Sequence, residues 1–324
     1  MVVLAGAAAQ PAEELGGRTP LEVAKIPHLN HFAKLGRVGL VKLAPQRLES
    51  SSDMALLNLL GYDSEKVYTG RGPLEAANME LKLEPNEVAF RMNFITEAGG
   101  HLADATGGRI STKEAKALIN FLNKKVSNDF VRFFAGEEYR HIAILKDAHG
   151  FEALSAKTMA PDWIVGETLE SHFPKGPGDE LLKKLMFDAK LLLQDHEINQ
   201  VRVDLGENPA NMIWLWGQGL QPKLQPWHEI YGFTGAILSD AEYAKGIGRL
   251  AGLTVLDTHD RNVPPEERMP VRAKRLTEAM EDKEVVVLYL SDCDEASCRG
   301  DFKAKISALE AADFYILSKV REYL

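Results

Sequence analysis

The sequence predicts an α/β fold: a mainly parallel sheet sandwiched by helices, with a smaller α+β domain inserted into it. Three observations lead there. Short apolar runs at 2–4, 212–216, 235–238, 253–256 and 285–290 alternate with longer amphipathic stretches, the pattern of strands covered on both faces by helices. After Pro73 the composition shifts to closely spaced strand signals around one helix signal. With 45% apolar and 26% charged residues in 324, the chain has material for one large core or two domains.

Taken in order, Val2-Val3-Leu4 is a short buried-strand signal, cut off by Ala5-Gly6-Ala7-Ala8-Ala9. Residues 20–36 read as a helix and its exit, with Leu29, Phe32 and Leu35 as core candidates, and 37–41 as the next strand. In the inserted module, 88–94, 101–110, 130–134 and 142–145 read as strands. The helix expected at 112–126 has one face made of Ala115, Leu118, Ile119 and Leu122. Pro161, Pro174 and Pro177 mark a return linker. Beyond it come an amphipathic helix over 180–205, strands at 212–216, 235–238, 253–256 and 285–290, and helices over 243–252, 271–280 and 302–323. The domains expected are a core in two segments, 1–80 and 173–324, around an insert at 81–172. No internal repeat or low-complexity tract interrupts the series.

The stretch 50–73 carries the chemistry. Met54, Leu57 and Leu60 have helical spacing, which puts Ser52 and Asp53 at a helix N-terminus. Free backbone N–H groups and the helix dipole suit that position to a phosphate or an alkoxide. Downstream, Gly70-Arg71-Gly72 sets a guanidinium between glycines, where a backbone can approach a ligand closely. An ordinary helix cap followed by a loop uses the same residues.

A formal charge of −9 argues against nucleic acid and anionic membranes as partners, while leaving room for a local basic pocket. No apolar run approaches membrane length, and the start lacks the basic residues of a signal peptide, so a cytoplasmic location is expected. Cys293 and Cys298 fit a metal pair, a disulfide or two plain thiols; for such a chain plain thiols are expected.

The same stretch resembles the nucleophile segment of archaeal-type, cofactor-independent (2,3-bisphosphoglycerate-independent) phosphoglycerate mutases of the alkaline phosphatase superfamily, which read roughly GSD-x-A-x-L-x-x-LGYDP…YTGRGPxEA. The similarity continues through the segment Glu13 to Glu22, Ala89-Phe90-Arg91-Met92-Asn93-Phe94, Gly107-Gly108-Arg109-Ile110 and Tyr139-Arg140-His141. It extends to Asn208-Pro209-Ala210-Asn211, Trp214-Leu215-Trp216-Gly217-Gln218-Gly219 and Asp294-Glu295-Ala296-Ser297. The resemblance implies an alkaline-phosphatase-like core and a reaction interconverting 3- and 2-phosphoglycerate through a phosphoserine. Two divalent cations, Mn²⁺ or Mg²⁺, would stabilise the serine alkoxide and the phosphoryl charge. On this chain Ser52 matches the nucleophile, Asp294 a metal ligand, and Arg71, Arg91, Arg109 and Arg140 lie in matched motifs expected to bind substrate. Those arginines fit equally a set of salt bridges tying the inserted module to the core.

The departures fall on the metal positions. By the same resemblance, ligands are replaced at Ala5, Ala9, Arg268, Tyr289 and Cys298, and the chain stops at Leu324, ahead of the family's closing Asp-His segment. Alanine and arginine cannot hold hard cations. A Pro-Pro-His-Asp element of the family appears as Ala160-Pro161-Asp162, without its histidine. Asp257-Thr258-His259-Asp260, with Asp292 and Cys298 near Asp294, offers material for a substitute site, though a solvated loop is the plainer expectation. The sequence therefore leads to a degenerate mutase-like protein, inactive or impaired, expected to hold no metal cofactor and to bind a small phosphorylated or carboxylated anion. Alternatives are an active metal-dependent mutase and a homoserine-kinase-like phosphotransferase, for which no ATP motif is present. Arg268, if turned inward, is expected to pair with Asp294 or Asp53 in place of a metal.

Overall fold

The computed structural model describes residues 1–43, 51–146, 152–258, 263 and 265–324. Its strands are β1 (Val2–Leu4), β2 (Glu87–Ala98), β3 (His101–Asp104), β4 (Val131–Glu137), β5 (Arg140–Lys146), β6 (Met212–Gly219), β7 (Gly235–Ser239), β8 (Thr254–Asp257) and β9 (Val285–Leu290). The chain forms two compact units, one from 1–67 with 224–324 and the other from 68–223.

The first unit is built on a four-stranded parallel sheet in the order β1-β9-β7-β8. Because side chains alternate along a strand, Ala236, Leu238 and Leu288 point to one face, where Leu276 and Ile316 from helical segments meet them. Ile237 points to the other face, against Gly248 of helix Glu242–Leu250; a Cβ there would lie 2.3 Å from Ile237 Cγ2. Both faces are covered, as the apolar strand runs require.

The second unit is antiparallel, ordered β3-β2-β5-β4 with β6 pairing β2. Phe90, Met92 and Phe94 of β2 face a core shared with Leu118 of helix Thr112–Lys125, Leu185 of helix Asp179–Leu193, and Trp214. Ser111 and Glu114 close the capping box that starts the first of those helices. Ala76 of helix Arg71–Asn78 meets Ala89, Ile142 and Ile144 in a separate cluster.

The unit boundaries differ from the expected 81 and 172. Helix Arg71–Asn78 packs on β2 and β6, and β6 completes the antiparallel sheet, so both belong with the insert. Residues 37–41 form no strand: Val38 and Leu40 are 81% and 104% exposed, and no ladder partner takes up their backbone groups among the described residues. Leu35, expected in the core, is exposed as well. Pro27 divides the first helical stretch into Pro20–Val23 and Pro27–Leu35. Helix 180–205 is two helices, Asp179–Leu193 and Glu197–Asp204, the second capped by His196, whose Nδ1 accepts the Ile198 N–H at 3.2 Å. The strand expected at 101–110 ends at Asp104, because Gly107, Gly108 and Arg109 turn the chain with φ of 57°, 68° and 54°. Helix Pro265–Asp282 starts earlier than the expected 271, with Pro270 inside it. The terminal helix is interrupted by a π-helical turn, Ala312–Leu317.

Candidate functional site

In an open parallel sheet, ligands gather outside the carboxyl ends of the strands. In the first unit that end collects the loop after β1, Ser239 and Asp240 after β7, and Ser291 with helix Asp292–Cys298 after β9. The Ala5 N–H donates to the Leu290 carbonyl at 3.0 Å, which fixes β1 beside β9. A Cβ at Gly6 (φ 71°) would come within 2.4 Å of the Asp294 Cα, so the backbone of the β1 loop lies directly on that helix's first turn.

Ser52 opens helix Ser52–Leu59 and is half-buried, while Asp53 is fully buried. Asp53 accepts from the Ser51 hydroxyl and, at 3.0 Å, from the Met54 N–H. Tyr289 is 3% exposed and shares a 2.7 Å hydroxyl–hydroxyl hydrogen bond with Tyr243. Both cysteines are free thiols. Cys293 is buried, and burial together with Asp292 pushes its thiol up to about 11. Cys298 is exposed. Thr258 is buried; His259 and Asp260 of the candidate substitute cluster lie outside the described residues.

Arg268 does not make the expected pairing. It lies on helix Pro265–Asp282, its Nε donates to the Val263 carbonyl at 3.3 Å, and it forms no ion pair with Asp294 among the described residues. Arg272, one helical turn further, is the inward residue. It is 1% exposed; Nη1 donates to Asp292 Oδ2 at 2.6 Å and Nη2 to Asp240 Oδ2 at 2.7 Å. A second buried cation, Lys305, donates to the Ala8 carbonyl at 2.9 Å and to Ser297 Oγ at 3.1 Å. Sequence reasoning missed both. Their signal was weak: a basic residue on the apolar face of a helix, which its length allows to reach outward as easily as inward.

The second unit gathers the arginines. Arg71 Nε lies 3.1 Å from Glu75 Oε1, and Arg91 pairs with the other Glu75 oxygen. Arg91 Nε donates to Asn93 Oδ1 at 3.0 Å, and Trp216 Nε1 donates to the same oxygen at 3.2 Å. The two guanidinium carbons lie 6.0 and 5.8 Å from the Trp216 ring centre. Burial by itself would raise the Glu75 carboxyl, but Arg91 and Arg71 outweigh it and hold the group below its ordinary 4.5. Arg140, opposite Asn93 in the β2–β5 register, pairs with Glu138 at 3.1 Å and covers the Tyr139 ring. Arg109 is exposed on its left-handed turn. Arg71 and Arg91 are therefore one group, and Arg140 borders it.

The glycines around Arg71 admit neighbouring protein backbone. A Cβ at Gly70 would lie 2.1 Å from the Gln218 carbonyl oxygen, and one at Gly72 would lie 2.5 Å from that of Ala89. Gly219 meets the Thr69 carbonyl oxygen in the same way, at 2.3 Å. The Tyr68–Pro73 and Trp214–Gly219 motifs thus interlock, and together they hold Arg71 over Trp216.

The family profile described as 2,3-bisphosphoglycerate-independent phosphoglycerate mutase matches residues 33–199. A 2,3-bisphosphoglycerate-independent phosphoglycerate mutase of Methanosarcina mazei is 36% identical over 98% of this chain and 79% of its own length. One of Methanothrix thermoacetophila is 38% identical over 95% of this chain and 77% of its own. This chain belongs to the 2,3-bisphosphoglycerate-independent phosphoglycerate mutase family. Two solved structures share the fold. A Pyrococcus horikoshii protein has a TM-score of 0.76 at 24% identity, covering 100% of this chain and 77% of its own. The cofactor-independent phosphoglycerate mutase of Thermoplasma acidophilum has a TM-score of 0.56 at 23% identity, covering 99% and 82%.

Family membership brings two divalent cations into question, and these want hard oxygen or nitrogen donors. The described residues at the matched positions do not fit them. Ala5 and Ala9 present methyl groups, the Tyr289 hydroxyl is hydrogen-bonded to that of Tyr243, Arg268 is cationic and Cys298 is an exposed thiol. Two nearby carboxylates, Asp240 and Asp292, are already bound by Arg272. No helix among the described residues is long and apolar enough to cross a membrane.

Proposed function

We propose that this member of the phosphoglycerate mutase family has largely lost its two-metal chemistry and persists as an impaired or inactive, anion-binding protein. The observation that carries the reading is the donor set around Asp294: methyl groups on the β1 loop, a tyrosine committed to another tyrosine, and a guanidinium on the adjacent carboxylates. Without Lewis-acid help a serine hydroxyl such as Ser52 is a poor nucleophile, and the barrier rises by several kcal/mol, orders of magnitude in rate. Arg71 and Arg91 remain as the basis for holding a small phosphorylated or carboxylated anion, with Glu75 and Asn93 fixing their planes. No metal cofactor, nucleic acid or membrane enters this reading.

Elemental analysis after dialysis against Mn²⁺ or Mg²⁺, with a coupled assay for conversion of 3- to 2-phosphoglycerate, tests it. The expected result is no stoichiometric metal and no turnover that Ser52→Ala removes. Retained metal together with Ser52-dependent conversion would establish a working mutase and end the proposal.

A further inference from the structure

Asp240 and Asp292 follow neighbouring parallel strands, β7 and β9, whose Ser239 and Tyr289 stand in register. Two carboxylates so placed repel each other, and a cation between them relieves that repulsion. Arg272 supplies it from the interior of helix Pro265–Asp282, one planar fork reaching both carboxylates at 2.6 and 2.7 Å. Among the described residues its buried Nε has no hydrogen-bond partner. Charge pairing, rather than a complete set of hydrogen bonds, therefore accounts for its position. Ser291 Oγ, which contacts Asp240 at 3.3 Å and Glu295 at 3.0 Å, adds a further oxygen to the group. Carboxylate and hydroxyl oxygens are the donors Mg²⁺ and Mn²⁺ prefer.

We infer that Arg272 is a built-in replacement for a divalent cation, bridging Asp240 and Asp292, and that removing it opens an oxygen-donor site for Mg²⁺ or Mn²⁺. The inference rests on the reading that the family's own metal site is lost. Lys305 provides the contrast. It too is a buried cation at this end of the sheet, but its partners are a carbonyl and a hydroxyl, so its removal uncovers no negative charge.

The test is thermal melting of the full chain in EDTA and in increasing MnCl₂ or MgCl₂, for the parent, Arg272→Ala, Lys305→Met and the double variant Arg272→Ala/Asp292→Asn. The parent should melt alike in every buffer. Arg272→Ala should melt lower in EDTA and regain most of the loss as metal is added, in the concentration-dependent way that binding to the folded state demands. Lys305→Met should melt lower without recovering. The double variant should melt above Arg272→Ala in EDTA and respond little to metal. An Arg272→Ala melt indifferent to metal, or a double variant equally rescued, overturns the inference. Metal found in the parent protein would instead undermine the functional proposal, so the two failures are distinct.

Discussion

The hydroxyls of Tyr243 and Tyr289 lie 2.7 Å apart, with their rings edge to face at 5.9 Å between centres. Tyr289 stands where the family resemblance puts a metal-binding histidine, and here it ties β9 to helix Glu242–Leu250. Tyr289→Phe removes one partner of a buried hydrogen bond and should cost about 1–2 kcal/mol in urea unfolding. Tyr289→His should bind no metal by itself, since the other replaced positions still offer no donor. An unchanged denaturation midpoint for Tyr289→Phe would mean that the hydroxyl pair contributes nothing.

The interlock around Arg71 gives a second expectation. Gly70 has φ 153° and no space for a Cβ beside the Gln218 carbonyl, and Gly72 faces the Ala89 carbonyl at 2.5 Å. Both obstacles are backbone, which cannot swing aside as a side-chain end does. Gly70→Ala and Gly72→Ala should each destabilise the protein by about 1–3 kcal/mol or more. Gly99→Ala is a suitable control: its φ of 58° strains any side chain, yet nothing lies within 4 Å of its Cβ. Equal melts for Gly72→Ala and the parent would show that the sheet yields at this point.

The fold was legible because strand and helix signals here are carried by apolar runs whose burial is unambiguous, such as Val285–Leu290 and the face of Ala115, Leu118, Ile119 and Leu122. Residues 37–41 show the limit: alternation announces a strand only where a partner is available to complete its hydrogen bonds. The arginine group was half legible. Motifs named Arg71 and Arg91, but nothing in spacing revealed that Glu75 joins them. Arg268 was singled out by position counting, which does not say which face of a helix points inward. It is Arg272, buried and paired with Asp240 and Asp292, that takes the inward face.

His141 provides a pH prediction. Its ring is 1% exposed, accepts the Gly136 N–H at Nδ1 (3.1 Å), and is packed edge-on to Phe94. Burial, then Arg91 and Arg140, push its pKa down from 6.5 to about 3. Between those values the unfolded chain takes up a proton that the native ring refuses, so stability falls as pH drops from 6.5 toward 3. Above 6.5 both states are neutral at this site and the contribution is flat. In His141→Gln the slope of unfolding free energy against pH in that window should decrease by up to about one proton's worth. An unaltered slope would place the acid sensitivity elsewhere.

Glu75 separates a structural role for the arginines from a binding role. It is 5% exposed and pairs with both Arg71 and Arg91. Its folded pKa is depressed, so its stabilisation is complete above the ordinary 4.5 and is lost as pH falls through the lower folded value. Glu75→Gln should accordingly flatten the acid limb below 4.5. At neutral pH it takes the carboxylate from the buried Arg91 and should destabilise the protein by about 3–5 kcal/mol. The same change raises the positive charge offered to a ligand. If Arg71 and Arg91 face an anion, 3-phosphoglycerate should bind Glu75→Gln more tightly than the parent by calorimetry, and Arg71→Ala more weakly. A variant that loses stability while its affinity for 3-phosphoglycerate stays at the parent value would assign the arginines to holding the second unit together. The anion would then have to be sought away from Trp216.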